Sequence, residues 1–230
     1  MRDMRVAVLF SGGKDSTFAI RKSLEAGHEI KYLVTVFPKG KESFMFHWPA
    51  LEITKLQAES TGLKQIVQKT EGKKEEELKD LENVLIKIKD EIDGVVTGAV
   101  ASNYQKSRVD KICQKLNLKH LSPLWGINPE NLLREIISSG FEIILTAVAS
   151  EGLGEDWIGK KIDKDALDEL KKLNEKFALN ISFEGGEAES LVLDAPIFKK
   201  RIEITDSEKI WDSKTSSGYL EIKNAALSSK

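Results

Sequence analysis

One glycine-rich segment, residues 11–16, constrains this chain more than any other feature of its sequence. It reads Ser-Gly-Gly-Lys-Asp-Ser and follows the apolar run Val6 to Phe10, which is typical of a buried β-strand. The residues after it, Asp15 to Ala26, favour a helix and precede Gly27, a residue type suited to the position just past a helix C-terminus. A glycine loop between a strand and a helix predicts a phosphate-binding turn in an α/β sheet.

The loop offers an anion several kinds of donor at once. Gly12 and Gly13 let backbone N–H groups come close to a phosphate, and the helix N-terminus adds roughly half a positive charge. Lys14 supplies a cation, and Ser11 and Ser16 supply hydroxyl groups. We therefore expect an anion to be held first by the backbone and then by side chains.

The spacing excludes two better-known phosphate loops. A Walker A loop needs Gly and then Ser or Thr where this chain has Val8 and Asp15, and a dinucleotide-binding loop needs Gly-x-Gly-x-x-Gly. The alternative without a ligand is a glycine-rich turn of purely structural role. The strand, the serines and the lysine together favour a nucleotide phosphate site over a bare turn.

Composition limits the remaining functional classes. The 230 residues have a net charge of -2 and are 40% hydrophobic, which is typical of a globular protein and gives no basic excess for binding nucleic acid directly. Cys113 is the single cysteine, so neither an intrachain disulfide nor a multi-cysteine metal site is available. No apolar run approaches the roughly 18 residues of a membrane helix, and no secretory signal is evident. We therefore expect a cytoplasmic protein without a membrane contact.

Short β-branched runs alternate with helical patterns over the first two-thirds of the chain. This order predicts an α/β fold with a doubly wound parallel sheet and right-handed crossovers. Such sheets bind ligands at the carboxyl ends of their strands, where the glycine loop is expected. The predicted strands are Val6–Phe10, Ile30–Val36, Lys64–Val67, Gly94–Thr97, Leu118–Leu121 and Glu142–Val148.

The pattern changes after about residue 150. We expect a nucleotide-binding domain over residues 1–150 and a smaller C-terminal α+β lobe over residues 151–230 that binds the substrate. In this lobe an amphipathic helix is predicted over Asp163 to Phe177. Strand-like segments follow it at Leu191–Leu193, Arg201–Thr205 and Gly218–Ile222.

A second candidate segment runs from Gly98 to Arg108. Gly98 ends a predicted strand, and Ser102 with Gln105 forms a capping box for the next helix. Tyr104 and Arg108 are four residues apart and share one face of that helix, so they are either a contact for the nucleotide or the substrate or an ordinary exposed pair. The opposite, buried stripe of the helix is predicted at Val109, Ile112, Cys113 and Leu116.

A third candidate is the segment of residues 184–190, and we call its residues 184–189 the acidic turn. Its carboxylates Glu184, Glu187 and Glu189 surround a pair of glycines. Oxygen ligands of this kind suit Mg2+ or a cationic substrate group, although acidic turns are also common on solvated surfaces.

Taken in order, these segments resemble the diphthine-ammonia ligase family of the N-type ATP pyrophosphatases. The resemblance covers nearly the whole chain. It departs at Ala188, where relatives usually have Phe or Tyr, which removes an aromatic side chain expected beside the substrate. The matching motifs are Ser-Gly-Gly-Lys-Asp-Ser, Ser-Phe-Met-Phe-His ending at His47, Gly-Ala-Val-Ala-Ser-Asn-Tyr-Gln-Lys-Ser-Arg from Gly98, Ser-Pro-Leu-Trp-Gly from Ser122, Glu-Gly-Gly-Glu-x-Glu-Ser-Leu-Val-Leu-Asp-Ala-Pro from Glu184 and Thr-Ser-Ser-Gly from Thr215.

The resemblance implies an AMP-forming carbon-nitrogen ligase. Such enzymes use ATP to adenylate the carboxylate of diphthine, a modified histidine of translation elongation factor 2, and ammonia then displaces AMP to give diphthamide. ATP and Mg2+ are the implied cofactors, and the diphthine-bearing factor and ammonium are the implied partners. A homo-oligomer is compatible with the sequence.

The resemblance also assigns residues. Catalytic roles are expected for Lys14, Asp15 and Glu187, and the chemistry of the residues suggests that Asp15 helps to position a Mg2+ ion. The ATP-binding residues are Ser11, Gly12, Gly13, Lys14, Asp15, Ser16, Gly98, Tyr104 and Arg108, and the substrate-binding residues are His47, Glu184, Gly185, Gly186, Glu187 and Glu189. By residue type alone, a lone histidine such as His47 more often has a structural role than a catalytic one.

Two alternatives remain at this point. One is a ligase of the same superfamily that acts on another carboxylate, such as a cobalamin-type side chain. The other is a nucleotide-binding regulatory module that never turns ATP over. An RNA-thiolating relative is disfavoured, because those enzymes generally use cysteines that this chain lacks.

Overall fold

The computed structural model of this chain describes residues 3–38, 48–70 and 74–230. Its contacts group into two compact units. The first comprises the residues up to Ser11 together with Asp15–Gly126, and the second comprises Gly12–Lys14 together with Ile127–Lys230. The predicted boundary after residue 150 lies further along the chain than this division.

The first unit contains a five-stranded parallel sheet. Its strands are β1 (Arg5–Leu9), β2 (Glu29–Pro38), β3 (Gln65–Thr70), β4 (Gly94–Val96) and β5 (Lys119–Leu121), and its helices are α1 (Lys14–Glu25), α2 (Trp48–Thr61), α3 (Lys74–Ile88) and α4 (Asn103–Lys115). The strand order β3-β2-β1-β4-β5 confirms the predicted doubly wound parallel sheet. Because the order reverses at β1, the gap between the ends of β1 and β4 is the topological switch point, where such sheets bind ligands.

Helix α1 follows the glycine loop because the sequence has a residue that favours a helix start and another that ends a helix. Acidic Asp15 lies in the first turn, where it interacts favourably with the helix dipole. Gly27 adopts a φ of +83°, a left-handed conformation that ends the helix and that glycine adopts without strain. The strand before the loop is buried on both faces, since Val6, Ala7 and Val8 are fully buried.

Helix α4 has the predicted N-terminal cap and the predicted buried face. Ser102 accepts a hydrogen bond from the Gln105 N–H at 3.3 Å and caps the helix N-terminus. On the other side of the helix, Val109, Ile112 and Cys113 are buried in a core that also contains strand residues of the sheet, and Leu116 packs against that core while partly buried. The buried stripe and the cap are therefore confirmed.

The second unit contains a four-stranded antiparallel sheet. Its strands are β6 (Glu142–Val148), β7 (Ala188–Asp194), β8 (Arg201–Asp212) and β9 (Ser217–Ser228), in the order β7-β6-β9-β8, and its helices are α5 (Pro129–Ser138) and α6 (Lys164–Phe177). The predicted helix after Asp163 is confirmed, because the Asp163 carboxylate caps it by accepting the Ala166 N–H at 3.0 Å. Within the described residues, no helix combines the length and the apolar character needed to cross a membrane.

One strand prediction is wrong in its placement. Glu142–Val148 is a strand, but as β6 it pairs antiparallel with β7 and β9 rather than joining the parallel sheet. Its buried residues, such as Ile143 and Leu145, have no exposed surface. A continuous apolar run marks a strand buried on both faces, and such strands occur in either kind of sheet, so periodicity alone does not identify the partner strands.

Candidate functional site

The glycine loop begins where β1 ends. The Ser11 N–H donates to Ser16 Oγ at 3.3 Å, and the two serine hydroxyl oxygens lie 3.1 Å apart. Gly12 has a φ of +82°, which a residue with a Cβ adopts only with strain. These contacts fold the loop against the first turn of α1, where backbone N–H groups have no acceptor within the helix.

Gly98 brings the end of β4 to the same turn. A Cβ built on Gly98 would lie 2.7 Å from the carbonyl carbon of Asp15 and 2.7 Å from the backbone nitrogen of Ser16. Only glycine permits so close an approach of the two backbones. Two of the segments predicted from the sequence, the loop and the residues after β4, therefore meet at the switch point.

A polar network holds this edge of the sheet. Thr97 Oγ1 lies 2.9 Å from His120 Nε2 and 3.1 Å from Ser122 Oγ, and His120 Nδ1 lies 2.6 Å from Asp110 Oδ1. The hydrogen bond from His120 is the largest of the effects that hold the pKa of Asp110 below its usual value. Sequence reasoning missed this network, although polar residues at the carboxyl ends of neighbouring strands are a signal for it.

Tyr104 and Arg108 share a face of α4, as predicted. The guanidinium carbon of Arg108 lies 3.7 Å from the centre of the Tyr104 ring, which is a stacked cation–π contact. Tyr104 is 54% exposed, so the stacked pair offers a flat surface accessible to a ligand. Its role in binding the nucleotide stays a prediction.

In the second unit, strand β7 contacts residues of the glycine loop. The Lys14 N–H donates to Ser190 Oγ at 3.2 Å, and the Val192 N–H donates to the Gly12 carbonyl oxygen at 3.2 Å. The Lys14 ammonium lies 5.7 Å from the centre of the Phe183 ring, and Lys14 is only 3% exposed. Ser190 and Phe183 were not among the sequence-predicted site residues.

The Glu187 carboxylate stabilises the acidic turn by accepting two backbone hydrogen bonds. Its Oε1 accepts the Asn180 N–H at 3.1 Å, and its Oε2 accepts the Gly185 N–H at 2.8 Å. A Cβ on Gly185 would lie 2.6 Å from Glu187 Oε1, and Gly186 has a φ of +85°. The glycines thus let the backbone wrap around this carboxylate. Its predicted catalytic and substrate-binding roles stay predictions, and the contacts seen here give it a positioning role.

Glu189 lies on β7, where burial raises its pKa to about 7. Between about pH 5 and pH 7 the folded protein therefore keeps a proton that the unfolded chain has released. We expect the free energy of unfolding to fall with rising pH in this window, by up to about 1.4 kcal/mol for each pH unit. Denaturant titrations at pH 5, 6 and 7 measure this slope.

The matched variants for this pH dependence are Glu189→Gln and Glu203→Gln, of which Glu203 is an exposed residue of β8. Glu189→Gln should flatten the slope, because the amide does not titrate. Glu203→Gln should keep it. Wild-type and Glu189→Gln curves that run parallel from pH 5 to pH 7 would show that Glu189 does not titrate in this range.

The single cysteine is unsuited to nucleophilic chemistry. Cys113 is 1% exposed, and burial raises its pKa to about 12. The reactive thiolate is therefore not formed near neutral pH. Cys113 belongs to the core, as its position on the buried stripe predicted.

Two further predictions, the substrate-binding role of His47 and the Mg2+ site at Asp15, stay predictions. His47 lies outside the described residues. No group of three or more His, Cys, Asp or Glu side chains suited to a metal ion occurs within residues 3–38, 48–70 and 74–230. The Mg2+ assignment to Asp15 therefore stays a prediction.

Comparison with known proteins covers both units. Residues 4–120 match the diphthamide synthase N-terminal domain, and residues 128–227 match the diphthamide synthase C-terminal domain. The diphthine–ammonia ligase of Homo sapiens is 36% identical over 229 residues, covering 90% of this chain and 85% of that protein. The diphthine–ammonia ligase of Danio rerio is 37% identical over 227 residues, covering 90% of this chain and 89% of that protein.

The relative from Schizosaccharomyces pombe, also a diphthine–ammonia ligase, is 37% identical over 238 residues. The alignment covers 96% of this chain but only 39% of that longer protein, so this chain spans well under half of its length. The two family matches together leave few residues of the chain uncovered, and they include the glycine loop, Gly98 and the acidic turn. The chain therefore belongs to the diphthamide synthase family.

Proposed function

We propose that this chain amidates diphthine on translation elongation factor 2, using ATP and ammonium and releasing AMP and pyrophosphate. Family membership supports the reaction. The close approach of Gly98 to the Asp15–Ser16 peptide is the observation that carries the nucleotide site, because it packs two strand ends around helix N–H groups at the switch point. A translation factor as substrate also favours a cytoplasmic location.

The chemistry requires a better leaving group on the carboxylate. A carboxylate is a poor acyl donor, because an oxide would have to leave when ammonia attacks. The carboxylate oxygen attacks the α-phosphorus of ATP, the bond from that phosphorus to the bridging oxygen breaks, and pyrophosphate leaves. Ammonia then attacks the carbonyl carbon of the mixed anhydride, AMP leaves, and the nitrogen loses a proton to give the amide.

The glycine loop is placed to stabilise the charge that develops on pyrophosphate. The N–H groups of the first turn of α1 and the Lys14 ammonium are fixed donors, so they need no reorganisation as the charge forms. Lys14 is nearly buried, so its attraction for a phosphate is screened less than that of a surface lysine. Ser11 and Ser16 add hydroxyl groups at the same turn.

The donor set at this turn fits a Mg2+ ion carried on the nucleotide. Mg2+ in nucleotide sites is usually held by one or two carboxylates together with phosphate oxygens and water. Asp15 supplies one carboxylate in the first turn of α1, with serine hydroxyl groups nearby. When bound, the ion would neutralise phosphate charge, and Asp15 is the residue that would hold it.

The acidic turn is the candidate substrate surface. Diphthine carries a trimethylammonium group, which carboxylates attract and aromatic faces bind. Glu184 and Glu189 are the other two carboxylates of the turn, beside Glu187. Because burial raises the pKa of Glu189 to about 7, its attraction for a cation should grow as the pH rises through neutrality.

The proposal is tested by incubating the full chain with diphthine-bearing elongation factor 2, ATP, Mg2+, nitrogen-15 ammonium and unlabelled glutamine. We expect AMP and pyrophosphate in amounts equal to the diphthamide formed, with the label in the new amide. Ammonium is the expected donor because Cys113, the single cysteine, is buried with a pKa of about 12. Mass spectrometry of the modified peptide reads the label.

Each other outcome identifies a different function. ADP and phosphate as products would exclude adenylation. AMP formation that depends on another carboxylate, such as a cobalamin-type side chain, and not on the elongation factor would indicate the related ligase. ATP binding without any turnover would indicate a regulatory module. Unlabelled amide would show that nitrogen comes from glutamine, which Cys113→Ser should then abolish.

A further inference from the structure

The start of helix α1 is held by a residue far away in sequence. Lys14 is the first residue of the helix, so its N–H has no acceptor within the helix. It donates instead to Ser190 Oγ at 3.2 Å, and Ser190 lies 176 residues further along the chain. Lys14 groups with Ser190 in the second unit, while the rest of α1 belongs to the first.

The backbone of β7 provides a second attachment. Among the described strands β7 is at the end of its sheet, so one of its edges is not used for pairing within that sheet. The Val192 N–H donates to the Gly12 carbonyl oxygen at 3.2 Å. Ser190 and Val192, two residues apart on β7, thus form hydrogen bonds with Lys14 and Gly12, the residues on either side of Gly13.

The same strand is continuous with the acidic turn. Glu187 lies three residues before Ser190, and its carboxylate closes the turn through Asn180 and Gly185. Its carbonyl oxygen accepts the Ala149 N–H at 2.8 Å, which attaches the turn to the residue just after β6. An ordered backbone therefore runs from the turn to Ser190.

We propose that Ser190 is a positioning residue that fixes the glycine loop in its phosphate-binding conformation before ATP arrives. The proposal rests on the proposed function and deepens it. The Ser190 hydroxyl accepts the Lys14 N–H and keeps a proton of its own, which it can donate to a phosphate oxygen. Ser190 therefore connects the acidic turn, the candidate diphthine surface, to Lys14 of the glycine loop.

The test compares Ser190→Ala with Ser190→Thr in the full chain. Alanine removes the acceptor, and we expect the KM for ATP to rise about threefold to tenfold while the KM for the elongation factor changes less than twofold. Threonine keeps a hydroxyl and suits a strand, so it should restore the KM for ATP. Ser138→Ala is the matched control, because Ser138 is an exposed residue of α5 whose hydroxyl donates to the Glu135 carbonyl oxygen at 3.1 Å.

Amide hydrogen exchange without any ligand gives a readout that does not depend on catalysis. Ser190→Ala should speed exchange at the Lys14 amide at least threefold, at an unchanged midpoint of thermal unfolding, and Ser190→Thr should not. Unchanged exchange in Ser190→Ala would overturn the positioning role, as would equal rises in both KM values or a failure of threonine to restore them. If the wild-type chain does not amidate diphthine, the proposed function fails while the exchange result still tests Ser190.

Discussion

Lys14→Ala is expected to lower the rate of AMP formation about 100-fold or more. Lys14 begins α1 and is 3% exposed, with its ammonium 5.7 Å from the centre of the Phe183 ring. A fixed cation in a site with little water stabilises the charge of leaving pyrophosphate far more than a solvated one does. Loss of one such donor typically costs a factor of 10² to 10³ in rate.

Single-turnover measurements at saturating ATP separate this effect on rate from an effect on binding. Lys89→Ala is the control, because Lys89 is an exposed lysine of the first unit just after α3. Its turnover should equal that of the wild type. Arginine is not a conservative replacement at position 14, since a planar guanidinium differs from a compact ammonium in shape and in the geometry of its donors. A folded Lys14→Ala protein with wild-type turnover would place the ammonium away from the reacting phosphates.

Local sequence patterns predicted the first unit well. Strands β1, β2 and β4 of the parallel sheet are largely buried and apolar, and the breaks between strand and helix carry glycine or capping residues such as Gly27 and Ser102. Both signals are contained within a few neighbouring residues. The position of the glycine loop at the switch point then follows from the strand order that alternating strands and helices impose.

Contacts between distant parts of the chain were not predictable in the same way. Ser190 is one hydroxyl in an acidic segment, and nothing near it in sequence indicates that it accepts the Lys14 N–H. The role of Glu187 was similarly hidden, because three neighbouring carboxylates look alike until the backbone wraps around one of them. Strand β6 was assigned to the wrong sheet because burial on both faces is all that its sequence encodes.

Gly98→Ala is expected to impair ATP use as severely as the loss of Lys14. The added methyl group would lie 2.7 Å from both the Asp15 carbonyl carbon and the Ser16 nitrogen. Those atoms belong to the backbone at the start of α1, so no change of rotamer relieves the clash, and the loop or the end of β4 must move. A misplacement of about 1 Å in a preorganised site can cost about 100-fold in rate.

Gly94→Ala separates this effect from general overpacking. Gly94 begins the same strand, and a Cβ there would lie 2.8 Å from the Lys119 carbonyl oxygen, at the amino end of the sheet. Both variants should lose about 1 to 3 kcal/mol in the free energy of unfolding, the usual cost of overpacking. Only Gly98→Ala should also lose about 100-fold in kcat/KM for ATP, measured well below both unfolding midpoints. The clash at position 98 displaces the backbone of the glycine loop, whereas the clash at position 94 displaces the backbone at Lys119. Equal kcat/KM values for the two variants would therefore mean that the glycine loop is not the nucleotide site.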